Sequence, residues 1–283
     1  MPLSLTAPTP LSYFSSLVQS DEHFPLLEAA AALAQDEYPQ ADLGQVLADV
    51  DQLLARLKRR LPTDAPALQR LRVLNRFFYQ DLGFGGNLND YYDPDNSYLN
   101  VVLRTRRGIP ISLAVIWLEL ATGLGLHAHG VAFPGHFMVK VNLPKGQVVI
   151  DPFTGQSQSR EQLSERLEPF KRSHGLGDDL DIPIGIYLQN APPRDIVGRM
   201  LRNLKEIFRS QEDWRRLVGV QSRMLALDPQ DWEAYRDRGL AYAEDGQPAL
   251  AMADLHTYLE HARGASDIAA VSARLEELRR TGR

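Results

Sequence analysis

A serine, a histidine and an aspartate lie at positions where their side chains could act together. Ser112 falls in a segment that begins at Pro110, and His136 and Asp151 fall in two β-rich segments further along the chain. A serine hydroxyl becomes a nucleophile when a positioned base removes its proton. A histidine oriented by a carboxylate is such a base on several unrelated folds. These residue types would permit hydrolysis or acyl transfer at Ser112.

The spacing of His136 and Asp151 predicts that their side chains meet. The sequence predicts strands at 136–142 and 147–151, and Leu143-Pro144-Lys145-Gly146 is typical of the turn between them. With the turn centred on its Pro-Lys pair, His136 and Asp151 are diagonal neighbours on one sheet face, ~7–8 Å apart. A register slip of one residue would separate them.

Ser112 is predicted to lie in the first turn of a helix that runs from about Pro110 to Thr122. Unpaired backbone N–H groups and the helix dipole favour negative charge at that position. An apolar stripe would fix the helix in the core, and it comprises Leu113, Ile116, Trp117 and Leu120. The alternative role for Ser112 is that of an ordinary helix N-terminal residue whose hydroxyl bonds to the backbone.

The 283-residue chain contains no cysteine, which excludes disulfides, thiolate nucleophiles and cysteine zinc sites. Its hydrophobic content of 44% and charged content of 24% are those of a globular protein. The net charge of -5 argues against general nucleic-acid binding. Two basic clusters, Lys58-Arg59-Arg60 and Arg104 with Arg106-Arg107, are interpreted as solvated surfaces. We expect no cofactor and no metal.

No apolar run approaches the ~20 residues of a membrane helix, so we expect no membrane partner. The N-terminus lacks a basic start and a compact apolar segment, which indicates no signal peptide. These features predict a cytoplasmic location.

The first two thirds of the chain predict an α+β domain. Residues 1–20 suggest a loose lead-in, and apolar residues from Val46 to Leu61 recur with helical periodicity. A second helix is predicted to start near Pro66, and three strands are predicted at 127–133, 136–142 and 147–151. Helices followed by strands, without βαβ alternation, indicate helices packed on a small antiparallel sheet.

The last third predicts paired helices that repeat every 34 residues. One repeat is clear, with large, small and aromatic residues at the positions of a tetratricopeptide repeat: Tyr235, Gly239, Tyr242, Ala251, Leu255 and Tyr258. An earlier copy places Leu201, Leu204 and Phe208 in register, and a last segment, Asp267 to Arg280, is expected to cap the array. The tail is either a partner-binding groove or a purely structural extension.

We therefore predict two domains, at residues 1–190 and 191–283, with a linker at about 178–193 that is rich in Asp, Pro and Gly.

Four segments in order carry a family resemblance: DPDNSYLNVVLRTRRGIPISLAV, GVAFPGHFMVKV, VVIDPFTG and the tail phrase Tyr235 to Leu240. Over roughly residues 25–265 the chain resembles the bacterial transglutaminase-like and tetratricopeptide-repeat family named after the SirB regulators. The resemblance implies a papain-type core in which a nucleophile at a helix start faces a histidine and an aspartate. Those positions are Ser112, His136 and Asp151, and Ser112 stands where the superfamily has its cysteine.

The leading hypothesis is a catalytically degenerate domain that binds a peptide or protein partner, with a possible regulatory role, through a cleft or the repeat tail. In that case Ser112, His136 and Asp151 are a relic triad. One alternative is a serine-dependent hydrolase or acyl transferase that uses the same three residues. Another is a purely structural adaptor.

Overall fold

The computed structural model describes residues 8–175 and 183–281. These residues divide into two units. The first, which we call the core unit, spans Pro25–Ile196. The second, the helical unit, comprises the described residues up to Phe24 and those from Val197 onward.

The core unit has an α+β architecture, as the sequence predicts. Its helices are α2 (Leu26–Ala31), α3 (Leu43–Lys58), α4 (Ala67–Asn75), α5 (Leu99–Thr105), α6 (Pro110–Gly123) and α7 (Arg160–Ser173). Its strands are β1 (Gly85–Gly86), β2 (Arg107–Gly108), β3 (His127–Val131), β4 (Met138–Leu143), β5 (Gly146–Ile150) and β6 (Ser157–Gln158). A π-helical turn at Arg76–Asp81 extends α4. The predicted amphipathic helix is α3, which buries Val46, Val50, Leu53 and Leu57.

The main sheet is antiparallel in the order β3-β4-β5-β6. Strands β4 and β5 pair with Val139 opposite Ile150 and Val141 opposite Val148, which confirms the predicted register. The short β6 was not predicted, because two residues are too few to show a strand pattern. The other sheet is a two-residue parallel contact of β1 with β2.

Helix α6 is the central helix of the core unit. It packs against α3, α4 and α5 on one side and against the sheet on another. The sequence predicted one apolar stripe, but eleven of its residues from Pro110 to Ala121 are buried. The indole Nε1 of Trp117 donates to Asn75 Oδ1 at 3.0 Å, so its polar atom is satisfied inside the core. A helix held from several sides gives its first turn a fixed position.

The tail forms paired helices, as predicted. They are α8 (Pro193–Ser210), α9 (Trp214–Leu227), α10 (Trp232–Glu244) and α11 (Pro248–His261), followed by α12 (Ile268–Thr281). The described residues from Gly198 to His261 contain no strand. The apolar face of α11 is covered by α12 through Val271, Leu275 and Leu278, which confirms the predicted capping segment.

The N-terminal segment differs from the prediction. Residues 1–7 lie outside the described residues, but Pro10–Leu17 forms helix α1 instead of a loose lead-in. Thr9 caps the helix, since its Oγ1 accepts from Ser12 N at 3.1 Å. Phe14 is fully buried, and α1 packs against α9. Burial of Phe14 therefore places this segment in the helical unit, whereas the predicted division assigned it to residues 1–190.

The predicted linker also differs where it is described; its residues 178–182 lie outside the described residues. A 3-10 turn at Ile184–Leu188 packs its last side chain into the cluster beneath the sheet. Lys140 Nζ donates to Leu188 O at 2.5 Å, and Ala191 N donates to Gly130 O at 2.8 Å. This stretch is anchored to β3 and β4 because its apolar residues and backbone groups find partners there.

Candidate functional site

Ser112 occupies the third position of α6, as predicted, and its residue is completely buried. Its Oγ donates to Asn96 O at 2.6 Å and lies 3.1 Å from Ile109 O. The same oxygen accepts from Ile109 N at 3.2 Å, which is one half of a capping box. All the hydrogen-bond partners of this hydroxyl among the described residues are backbone groups.

Asn96 organises the polar loop in front of α6. Its Nδ2 donates to Asp90 O at 2.6 Å, and its Oδ1 accepts from Asn87 Nδ2 at 3.0 Å. Its carbonyl accepts from Ser112 Oγ and, at 3.3 Å, from Ile109 N. The side chain and the carbonyl of one buried residue therefore tie the loop to the start of the helix. No sequence signal distinguished Asn96 from the other polar residues of its loop.

A glycine makes room for the Ser112 hydroxyl. A Cβ on Gly108 would come 2.7 Å from Ser112 Oγ and 3.2 Å from Val102 side-chain carbons. The Ser112 oxygen is therefore closely packed at the start of the helix, whereas a catalytic nucleophile has to be accessible to its substrate.

His136 and Asp151 form a direct pair. His136 Nε2 lies 2.8 Å from Asp151 Oδ1, which confirms the contact that the hairpin register predicts. Both residues lie just outside the strands, since β4 begins at Met138 and β5 ends at Ile150. A turn with Gly135 at φ 68° sets the direction of His136, and its backbone N donates to Phe133 O at 3.0 Å.

The Asp151 carboxylate is held by two further groups. It is 1% exposed, and its Oδ1 also accepts from Phe153 N at 2.9 Å. Its Oδ2 lies 3.3 Å from Arg166 Nη2, on helix α7. The sequence did not point to Arg166, because no turn or motif fixes the position of its helix relative to Asp151. Burial raises the pKa of the Asp151 carboxyl, but the hydrogen bonds from His136 and Phe153 and the charge of Arg166 lower it more, so the net pKa lies below its ordinary value.

The three predicted site residues are not joined into one network. His136 and Asp151 are in contact, whereas Ser112 Oγ makes no hydrogen bond to either of them in the described part of the chain. A triad requires the histidine to accept the serine proton directly. In this geometry the Ser112 hydroxyl donates its hydrogen bond to Asn96 O instead.

A cleft of about 520 Å³ adjoins the segment that carries Asp151. Residues Gly83–Asn89 line it together with Tyr79 and Arg107. Tyr79 packs against Gly155, where a Cβ would lie 2.6 Å from its ring, and Gly86 lies against Phe153. Burial and the nearby Asp151 charge raise the pKa of the Tyr79 hydroxyl, which has no hydrogen-bond partner among the described residues.

The repeat helices are joined by a close glycine contact and a paired arginine. A Cβ on Gly239 would come 2.8 Å from Leu255 Cδ2, so α10 approaches α11 closely only because position 239 lacks a side chain. Arg238 donates from Nε and Nη2 to Asp254 at 2.6 and 2.8 Å. Two parallel bonds of this kind fix the orientation of one helix against the next.

Comparisons with known proteins agree with both halves of the structure. Residues 44–202 match the model of a transglutaminase-like superfamily, and residues 204–276 match a tetratricopeptide repeat. Within the described residues no helix is long and apolar enough to cross a bilayer. The fold and these matches define a transglutaminase-like domain followed by a repeat tail.

Relatives with this arrangement occur across bacteria. A UPF0162 protein of Xylella fastidiosa strain Temecula1 is 40% identical over 85% of this chain and 85% of its own length. A UPF0162 protein of Vibrio cholerae is 29% identical over 83% and 86%, and YchA of Escherichia coli K12 is 26% identical over 83% and 84%. The chain therefore belongs to the UPF0162 family of transglutaminase-like proteins.

A solved structure of menin overlaps 90% of this chain and 71% of its own chain, at a TM-score of 0.42 and 11% identity. A likeness of that size carries no argument about this protein.

Proposed function

We propose that this protein is a non-catalytic member of the transglutaminase-like superfamily that binds a peptide segment of a protein partner. The observation that supports the first half is the hydrogen bond from Ser112 Oγ to Asn96 O. A hydroxyl that is fully buried and engaged with the backbone has neither a base beside it nor space for an incoming carbonyl carbon. His136 and the buried Asp151 then act as an anchor that joins the sheet to α7 through Arg166.

The second half of the proposal rests on surface features. Leu88, which lines the cleft, is 83% exposed, and Tyr92, four residues further along the chain, is 75% exposed and packs on Tyr91. Exposed apolar side chains next to a concave surface are typical of binding sites for partner side chains. Tetratricopeptide repeats generally mediate protein interactions, so the tail offers a further surface for the same partner. An extended peptide with an apolar side chain fits the cleft best.

One observation favours the alternative of a serine hydrolase. The His136–Asp151 pair keeps the contact that orients a catalytic base. That function would require Ser112 to leave Asn96 O and reach His136, which costs a buried hydrogen bond. The sequence around Ser112 also lacks the G-x-S-x-G turn that presents a reactive serine in many hydrolases.

The binding function can be tested with displayed peptides. The full chain is used to select binders from a random peptide library, and the affinity of each selected peptide is measured by fluorescence anisotropy. We expect Leu88→Ser and Tyr92→Ser to weaken binding about tenfold or more, because truncated apolar anchors dominate such losses. The matched control is Leu68→Ser, which changes an exposed apolar residue of α4 that does not line the cleft and should leave this binding unchanged. Failure to recover any saturable peptide would contradict the binding function, and equal affinities for all variants would contradict the cleft as its location.

A further inference from the structure

We propose that a second cleft, between α3 and α5, binds a phosphate group. The cleft has a volume of about 310 Å³. It is lined by Arg56 from α3 and by Arg104 and Arg106 at the end of α5. None of the residues that line it belongs to the site of Ser112, His136 and Asp151, so the proposal does not rest on the function proposed above.

The three arginines form no direct ion pair with a carboxylate of the described residues. In the described part of the chain, none of them makes an ion pair or a side-chain hydrogen bond, whereas the neighbouring Arg60 is paired with Asp81. Two of them lie over aromatic rings. The guanidinium of Arg56 is 5.6 Å from the ring centroid of Phe77, and that of Arg106 is 4.7 Å from the ring centroid of Phe84. A guanidinium above a ring is held in place while its N–H donors stay available at its edge.

Arg106 is placed at some conformational cost. It is the residue after α5 and has a left-handed φ of 61°, which glycine or asparagine adopts more easily. Its side chain is half-buried, and burial together with the charge of Arg56 lowers the pKa of its guanidinium, although the Asp49 carboxylate offsets part of this effect. A half-buried cation held beside another cation is a site that an anion stabilises.

The same cleft contains two hydrogen-bond acceptors. Asp49 lines it and accepts from Gln45 Nε2 at 2.7 Å. Asn100 also lines it, and its buried Oδ1 has no hydrogen-bond partner among the described residues. A ligand for this cleft therefore needs negative oxygens for the arginines and an O–H donor for the acceptors. Phosphate in its monohydrogen or dihydrogen form provides both, whereas sulfate provides no donor at neutral pH.

Calorimetric titration of the full chain with inorganic phosphate tests the proposal, with sulfate titrated at the same ionic strength. We expect saturable binding of phosphate and binding of sulfate that is weaker by about tenfold or more, because a charged acceptor facing an oxygen without a proton is repelled. Arg56→Ala and Arg106→Gly should each weaken phosphate binding by about tenfold or more. Glycine suits the left-handed backbone at position 106, so this variant should remain folded, as its circular dichroism and unfolding midpoint will report.

The control is Arg59→Ala, which removes an exposed arginine at the end of α3 that does not line the cleft. It should bind phosphate as the wild type does. The proposal is overturned by the absence of saturable phosphate binding, by equal affinity for sulfate, or by an equal loss in Arg59→Ala. A phosphoserine peptide titrated in parallel identifies the source: tighter binding than inorganic phosphate indicates a phosphorylated chain, and equal or weaker binding indicates free phosphate.

Discussion

The hydroxyl of Ser112 donates a 2.6 Å hydrogen bond to the carbonyl of Asn96, sixteen residues earlier in the chain. This bond joins the first turn of the central helix to the polar loop that precedes it. It uses the serine proton that a catalytic histidine would otherwise take. Ser112, which the family resemblance places at the nucleophile position, therefore forms a buried contact between helix and loop.

Replacement of Ser112 should lower stability. Ser112→Ala removes the donor to Asn96 O and the acceptor for Ile109 N, and we expect a loss of about 1–2 kcal/mol in the free energy of unfolding. Chemical denaturation measures it. The matched control is Ser173→Ala on α7, an exposed serine that also bonds to a backbone carbonyl and should change stability by less than about 0.5 kcal/mol. Equal effects of the two substitutions would show that the buried Ser112 contact contributes no more stability than an exposed hydroxyl hydrogen bond.

The buried carboxylate of Asp151 should make a stability contribution that depends on pH. Because folding lowers its pKa, the folded state binds the proton less strongly than the unfolded state does. The stabilisation is then complete above the ordinary pKa of 3.8 and is lost as pH falls through the lower folded-state value. Asp151→Asn should cost about 2–3 kcal/mol at neutral pH.

Denaturation curves at a series of pH values check this prediction. The difference between wild type and Asp151→Asn should stay constant down to about pH 4 and narrow below it. Asp64→Asn, which changes an exposed carboxylate of the same unit, should differ from wild type by less than about 0.5 kcal/mol throughout. If the difference in unfolding free energy between wild type and Asp151→Asn stays constant down to the lowest pH at which the protein folds, the role given to the Asp151 charge is contradicted.

Two helical glycines of the tail should respond in opposite directions to alanine. Gly239→Ala places a Cβ 2.8 Å from Leu255 Cδ2, and we expect a loss of about 1–3 kcal/mol from overpacking. Gly198→Ala meets nothing closer than 3.4 Å, so the higher helix propensity of alanine should add about 0.5–1 kcal/mol. Thermal unfolding of the two variants measures both effects. A stabilising Gly239→Ala would mean that α10 and α11 are farther apart than described.

A cysteine at position 112 offers a direct measure of access. The chain has no other cysteine, so a thiol reagent would report this position alone in Ser112→Cys. Since the residue is fully buried, we expect slow alkylation by iodoacetamide in the folded protein and rapid alkylation in denaturant. Ser173→Cys, at an exposed position, should react rapidly in both conditions. Rapid alkylation of folded Ser112→Cys would show an open, activated position.

Much of the fold follows from sequence periodicity. The hairpin turn predicted the register of β4 and β5, and that register places His136 and Asp151 close to each other just beyond the strand ends. The 34-residue spacing predicted the helix pairs of the tail. These features are local, since a turn or a repeat fixes them within a few residues.

The features that the sequence did not predict depend on contacts between segments that no turn or repeat holds in a fixed register. Nothing near Ser112 in the chain indicates that its partner is Asn96, and nothing near Asp151 indicates Arg166 on α7. Helix α1 was missed because its Pro- and Ser-rich sequence is not that of a stable short helix, and packing of Phe14 against α9 supplies the stabilisation that its own sequence does not. The Arg56 and Arg106 cleft forms only when α3 and α5 lie side by side.

The most direct test of the central claim is covalent labelling with a fluorophosphonate probe, which reacts with activated serines. The wild-type protein, Ser112→Ala and His136→Ala are incubated with the probe and compared by intact-protein mass spectrometry. We predict no labelling of the wild type beyond that of the two variants, because the Ser112 hydroxyl is hydrogen-bonded to Asn96 O and contacts no basic side chain among the described residues. Stoichiometric labelling of the wild type that disappears in both Ser112→Ala and His136→Ala would contradict this account and establish a serine enzyme.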